Sequence, residues 1–433
     1  MATIQTQELI EQFCQLKPYV DGLIYVEDTD SFLLYDEHNF YYKKLLRTDL
    51  KKEIFKFIQT SGKNFSRGLI LDMEEGIKYL CYRQIPTLQK NYISFRDGLL
   101  NLNTLEFEKH NPKNIAYNYF PTSINDLDKP IPVWEKFICE IMVDLTGRTD
   151  EELILVIEEM LGFYLIEEMK PEAMFFLTGN GSNGKSRVLG VLEGIVGSEY
   201  TKYRSLESIT GYQFAAVDLL GNKMNIIRDD ESKYIKVDKL KTLVSGEAIT
   251  ADRKNLGSVD FTPKAKIICS TNRTPTFSGL DYGLKRRLNF IPFNRRFSAE
   301  ERDHTLEAKL AEEIPRILWQ IAVKGARRLR ENNYMFTKSS SMEHSMKEFE
   351  EEVSSAIEFV RENYKEDDNA FIFNEDLYTA YDIWCRKSGR KPMSDKNFFK
   401  DINDICKTEK KWSAEKGNAG RGKKLALLVQ SVD

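Results

Sequence analysis

The chain has 433 residues, 41% of them hydrophobic and 12% aromatic, which suffices for several packed cores and argues against general disorder. No apolar run reaches the ~18 residues of a membrane span, and Met1-Ala2-Thr3-Ile4-Gln5 has no basic stretch leading into an apolar one, so an unexported, cytoplasmic, membrane-free protein is expected. Six cysteines without a Cys-x-x-Cys pair and four histidines at no ligand spacing speak against zinc and for reduced thiols.

Residues 1 to about 125 mix short strand and helix patterns. Leu23-Ile24-Tyr25-Val26 and Phe32-Leu33-Leu34-Tyr35 predict paired strands, Lys51 to Gln59 an amphipathic helix, and Ile93 to Leu102 a hairpin about Asp97-Gly98. Pro121 to Pro132 marks a boundary. From Trp134 the period turns helical: Trp134, Phe137, Ile138 and Ile141 share a face, and Leu153 to Leu165 continues the pattern.

The apolar run Met174 to Thr178 has strand composition, and Gly179-Asn180-Gly181-Ser182-Asn183-Gly184-Lys185-Ser186 follows it in the frame G-x-x-x-x-G-K-S. Glycines let backbone N–H groups turn around phosphate oxygens, the Lys185 ammonium reaches the outer phosphates, and the Ser186 hydroxyl suits Mg2+. ATP and Mg2+ are therefore the expected ligands.

About 40 residues on, the strand Met224-Asn225-Ile226-Ile227 runs into Arg228-Asp229-Asp230-Glu231. Adjacent carboxylates at a strand end suit a nucleotide hydrolase, one holding Mg2+ and one orienting the attacking water; Asp229 and Asp230 are the first choices, with Glu231 in reserve. Lys239 to Ser245 predicts a short helix ended by Gly246. Two strands then flank Asp252-Arg253-Lys254-Asn255-Leu256-Gly257, a basic turn in which Arg253 and Lys254 can meet the phosphates of a single strand.

The strand Ala265 to Ser270 ends in Thr271-Asn272, and an amide there can hydrogen-bond the attacking water or the terminal phosphate. Lys285-Arg286-Arg287 precede another apolar strand, and a guanidinium from a neighbouring subunit suits developing phosphoryl charge; Arg286 and Arg287 are both candidates. Ala299 to Glu331 is patterned as helix, Thr337 to Ser341 as a linker, and Met342 to Tyr364 as one charged, mostly exposed helix. Beyond Asn369, two helices (Asp376 to Lys387, Lys396 to Cys406) precede a glycine- and lysine-rich hairpin. Between Arg386 and Lys424 there are 13 Lys/Arg against 5 Asp/Glu, in a chain whose net charge is −4. That asymmetry is a footprint of phosphate-backbone contact.

The order of these parts resembles superfamily 3 helicases, and in particular the helicase portion of phage, plasmid and poxvirus primase-helicases. Ile93 to Leu100 with His110-Asn111-Pro112 is similar to the domain that precedes the ATPase in that family, and Leu377 to Cys385 to its C-terminal module. The resemblance implies an α/β protein with a three-layer P-loop ATPase core of AAA+-like type, residues 129–335 with a helical lead-in over 129–170. It further implies an α+β N-terminal domain over 1–128, a linker helix over 336–368, and a winged-helix-like nucleic-acid-binding domain over 369–433.

The function it implies is that of a ring, a homo-hexamer, hydrolysing ATP at subunit interfaces and moving 3'-to-5' on single-stranded or forked DNA during phage, plasmid or viral replication. Lys185 and Ser186 carry over to nucleotide and metal, Asp229 and Asp230 to the acidic pair, Asn272 to the sensor, Lys254 to the pore hairpin, and Arg286 or Arg287 to the finger. Many members have a single Glu where this chain has Asp229-Asp230-Glu231. No primase or polymerase module is visible, so the chain reads either as a stand-alone helicase or as the C-terminal part of a longer protein. The alternative function is an origin-binding initiator or scaffold whose ATP site serves assembly.

Overall fold

A computed structural model describes residues 2–82, 91–212, 214–229, 232, 235–253, 257–272, 277, 282–367, 370–388, 392–408, 414–417, 420–423 and 425–427. Among these, no helix is long and apolar enough to cross a membrane. The architecture is mixed α/β about a five-stranded sheet whose neighbours are all parallel. Its order across the sheet is Leu288–Pro292, Met174–Thr178, Lys266–Thr271, Met224–Ile227, Thr201–Lys202.

A parallel sheet covered on both faces needs strands apolar on both sides, which is why these strands read as continuous hydrophobic runs. Successive residues separate cleanly: Phe175, Leu177, Ile226, Ile268 and Ile291 enter one apolar cluster, and Met174, Phe176, Ile227, Ile267 and Phe290 the other. The first face is covered by helix Glu151–Leu165, buried from Val156 through Leu165, with Lys324–Glu331 packed on it. Those helices cross at glycines: a Cβ on Gly325 would lie 1.9 Å from the Glu158 carbonyl oxygen, and one on Gly162 2.2 Å from the Ala326 nitrogen.

Between Leu306–Ile317 and Lys324–Glu331 the chain makes a π-turn over Leu318–Val323, just after Pro315, which has no N–H to donate back along the helix. Helix thus begins at Leu306, with Phe293 to Thr305 running non-helically ahead of it. This region clamps the preceding part of the chain. Gln320 Nε2 donates to the Leu127 oxygen at 2.6 Å, Arg327 Nη2 to that of Leu105 at 2.8 Å, and Arg330 Nη1 to that of Asn103 at 2.8 Å.

Among the described residues, the chain ahead of residue 129 folds as a three-stranded antiparallel sheet (Leu23–Val26, Ser31–Asp36, Tyr41–Leu45) with the helices Ala2–Cys14, Arg47–Thr60 and Arg67–Cys81, and a four-stranded sheet in which Tyr92–Phe95 and Gly98–Asn101 form the expected hairpin. Ile93, Phe95, Leu100 and Phe120 of the second sheet enter the same apolar cluster as Phe175 and Ile268, so one core continues across residue 128. Residues 340–363 form two helices, Ser340–Val353 and Ser355–Asn363, where the pattern predicts one. The Ser354 side chain caps the second by accepting from Ile357 N, and Phe349 of the first is buried against Phe290. At the C-terminal end, helices Ser355–Asn363, Asn374–Lys387 and Asp395–Thr408 share a core of Ile357, Leu377, Tyr381, Phe398 and Ile402, and the hairpin Ala414–Gly417 with Gly420–Lys423 follows.

His110 joins the two N-terminal sheets, stacked on Phe40 with ring centroids 4.1 Å apart, and neither ring nitrogen is solvent-accessible or hydrogen-bonded. Burial lowers its pKa below the ordinary 6.5, and the nearby Arg96 backbone and Asp97 offset this only in part. A histidine depressed in the folded state gives stability that is complete above the unfolded value and lost as pH falls through the folded one. Thermal melting should therefore show wild type losing more stability between pH 7.5 and 5.5 than His110→Phe; equal losses would contradict this.

Candidate nucleotide site

The register of the parallel sheet brings the sequence-predicted residues together. Thr178 pairs with Thr271 and with Pro292, and Ile227 with Cys269, so the chain leaves three adjacent strands at one edge, through Gly179, Asn272 and Arg228-Asp229. Ligands of open α/β sheets bind at that carboxyl edge.

The loop Gly179–Gly184 turns through φ values of +143° at Gly179, +73° at Gly181, +49° at Ser182 and +95° at Gly184, and helix Lys185–Val196 starts immediately after it. Two glycines in this loop answer different demands. A Cβ at Gly184 would lie 2.9 Å from Ile141 Cγ2 and 3.2 Å from Phe137 Cε2, whereas one at Gly181 would meet nothing within 4 Å. Gly181→Ala should cost only the ~1 kcal/mol of a left-handed alanine, and Gly184→Ala that plus ~1–3 kcal/mol of overpacking. Melting curves on both variants check this; equal losses would contradict the packing argument.

Lys185, 5% exposed, donates its ammonium to the Gly179 oxygen and, at 3.0 Å, to Asn272 Oδ1. Asn272 turns its amide nitrogen to Asp229 Oδ1 at 3.3 Å, so one amide bridges cation and carboxylate. Burial lowers the Lys185 pKa, and Asp229 partly offsets this. Asp229 itself takes a left-handed φ of +48°, which Asp tolerates better than most residues. Gly181 to Ser186, Asp229 and Asn272 line one cleft of about 1060 Å3. Asp230 and Glu231 lie outside the described residues.

The two arginines prove unlike. Both precede Leu288, which pairs with Met174, and the Arg287 oxygen accepts from Met174 N at 2.8 Å, so they sit at the opposite end of the sheet from the loop, ~13 Å of strand away. Arg287 is buried, bonded to Ser245 Oγ at 2.8 and 3.1 Å, to the Gly283 oxygen and to Glu172. The Arg286 side chain is 55% exposed, with Glu172 at 3.3 Å. Strands Ile249–Arg253 and Gly257–Phe261 form the expected antiparallel hairpin, Arg253 pairing with Gly257 at its end; Lys254 lies outside the described residues.

Sequence reading missed the segment Phe293 to Glu307, which folds over the loop. Phe293 N donates to the Thr178 oxygen at 2.8 Å, Phe297 N to the Ser182 oxygen at 2.9 Å, and Arg302 Nη2 to Ser182 Oγ at 2.8 Å, while Glu307 pairs with Arg187. Arg295, Phe297 and Arg302 line the cleft. Their charged run, Arg295 to Asp303, carries no motif that would have singled them out.

For Mg2+, the described residues contain no cluster of three His, Cys, Asp or Glu side chains. The exposed Ser186 hydroxyl and the Asp229 carboxylate on the same cleft fit a hard cation that takes its remaining ligands from phosphate and water.

Comparison with known proteins agrees with the resemblance. Residues 12–143 match the family described as D5 N terminal like, residues 354–430 the one described as Poxvirus D5 protein-like, and residues 177–287 a family of unknown function, DUF5906. The candidate helicase L207/L206 of Acanthamoeba polyphaga mimivirus is 29% identical over 220 residues, 48% of this chain and 22% of its own length. The candidate helicase V13 of Sputnik virophage is 23% identical over 312 residues, 65% of this chain and 38% of its own. The candidate primase C962R of African swine fever virus (isolate Warthog/Namibia/Wart80/1980) is 22% identical over 267 residues, 57% of this chain and 26% of its own. The apo NrS-1 C-terminal region is 12% identical, with a TM-score of 0.46 covering 94% of this chain and 96% of that one.

The chain thus carries the features of a primase-helicase of the phage and poxvirus type. It spans between about a fifth and two fifths of the curated relatives it matches.

Proposed function

We propose that the protein is an ATP-dependent DNA helicase of superfamily 3, working as a ring, a homo-hexamer, on single-stranded and forked DNA in viral or phage replication in the host cytoplasm. The observation that carries this reading is the Lys185–Asn272–Asp229 chain at the mouth of a glycine-rich loop, with the exposed Arg286 at the far end of the same sheet. The nucleotide cleft of one copy is out of reach of its own Arg286, so a finger from this position serves a neighbour's cleft.

In this reading the core over 129–335 is a P-loop ATPase, 1–128 its N-terminal domain, 336–368 a linker, and 369–433 a winged-helix-like DNA-binding domain. The loop N–H groups and the helix start at Lys185 hold the phosphates. Lys185 exchanges the Gly179 oxygen and Asn272 for phosphate oxygens. Asn272, released, hydrogen-bonds the attacking water, with a carboxylate from Asp229 or Asp230 orienting it. Ser186, Asp229 and Asp230 would hold Mg2+, which neutralises phosphate charge when bound. Upstream fusion to, or association with, a primase or polymerase module belongs to the same reading.

Strand displacement on a forked duplex tests the function: unwinding with ATP and none with a non-hydrolysable analogue is expected. Template-independent assembly without unwinding would favour the initiator or scaffold reading instead. Arg253 and Lys254 are proposed to grip DNA at the hairpin tip, so Lys254→Ala should keep basal ATPase and lose its stimulation by single-stranded DNA; unchanged stimulation and unwinding would remove the hairpin from the grip.

A further inference from the structure

We propose that Arg302 is a second cation supplied by the same chain to the bound nucleotide's phosphates, an inference that rests on the nucleotide site above. The cations facing the cleft are not equivalent. Arg187 is paired with Glu307, Arg295 with Glu301 at 2.5 Å, Lys309 with Asp303 at 2.8 Å, and Lys136 lies 3.8 Å from Glu140. A paired cation brings its carboxylate with it and offers a phosphate little net charge. Arg302 differs: its side-chain hydrogen bond goes to the neutral Ser182 hydroxyl in the middle of the loop, and among the described residues no carboxylate lies within ion-pair distance of it, Glu300 acting on it only through its field.

Its place is also fixed. The segment that carries it is tied to the strand before the loop through Phe293 N, to the loop through Phe297 N, and to the helix after the loop through Glu307. A guanidinium held over a phosphate-binding loop, in no ion pair among the described residues and with several donors still available, can exchange a hydroxyl for phosphate oxygens without breaking one. Its planar fork suits two oxygens at once. Lys185 and Arg302 then approach the phosphates from two different segments, 117 positions apart in sequence, and the nucleotide staples one to the other.

The test uses the full chain, with ATP affinity read by a fluorescent ATP analogue and steady-state ATPase kinetics alongside. Arg302→Ala should raise the ATP Kd and KM about tenfold with kcat within about twofold, Arg302→Lys should recover part of that loss, and melting without nucleotide should not change. Wild-type Kd and KM in Arg302→Ala, while Lys185→Ala binds no ATP, would overturn the role of Arg302 and leave the site standing. Wild-type binding in Lys185→Ala would instead remove the site and this inference with it. A melting loss in Arg302→Ala together with no recovery in Arg302→Lys would make the residue structural and likewise overturn the proposal.

Discussion

Lys185→Ala should abolish ATP turnover, with a loss of at least about a hundredfold in kcat, while leaving the fold intact. The ammonium is almost fully buried, and its two acceptors are a backbone oxygen of the loop and the amide of Asn272. Among the described residues it makes no ion pair, and Asp229 is reached through the Asn272 amide. Burial disfavours the charged form, so removing it relieves a desolvation cost instead of breaking a structural ion pair. Melting should therefore stay near wild type while hydrolysis vanishes. Retained hydrolysis would reject the loop as the phosphate site; a collapsed melt would show that Lys185 is a structural residue.

Arg286→Ala should lower ATP hydrolysis in the assembled protein about a thousandfold, the usual worth of a finger arginine, and again leave melting unchanged. Among the described residues its partner is Glu172 at 3.3 Å, and with both side chains well exposed such a pair contributes ~0–1 kcal/mol. Arg287→Ala should do something different. That guanidinium links Ser245, the Gly283 oxygen and Glu172 from a buried position, so its loss should cost ~1–3 kcal/mol of stability through unsatisfied partners. Reversed roles, with Arg287→Ala stable and inactive and Arg286→Ala active, would exchange the two residues.

How much of this was legible in the sequence follows from the range of the interactions involved. The loop, the strand before it, the acidic strand end and Asn272 are local patterns, and parallel pairing with register Thr178 to Thr271 is enough to gather them. The hairpin over 249–261 and the helices over 374–387 and 395–408 were likewise legible from period and turn chemistry. The choice between Arg286 and Arg287 was not, because it depends on Ser245 and Glu172, more than 40 and 110 positions away. Nor was Arg302, whose partner Ser182 is 120 positions distant in a segment without regular secondary structure. The break between Val353 and Ser355 had a faint signal in Ser354-Ser355, serines placed where a helix cap would accept. The continuity of the core across residue 128 lies in Ile93, Phe95, Leu100 and Phe120 sharing one apolar cluster with Phe175 and Ile268, and in Gln320, Arg327 and Arg330 binding the backbone oxygens of Leu127, Leu105 and Asn103, all beyond the reach of any local pattern.

Mixing two inactive variants tests the shared site most directly. Lys185→Ala keeps an intact Arg286, and Arg286→Ala keeps an intact loop; if each cleft is completed by its neighbour, combined rings contain clefts with both. Equimolar mixing should then restore ATP hydrolysis and unwinding that neither variant shows alone. Hydrolysis that stays absent in the mixture, although the two variants are shown to assemble together, would contradict a site built between copies of this chain.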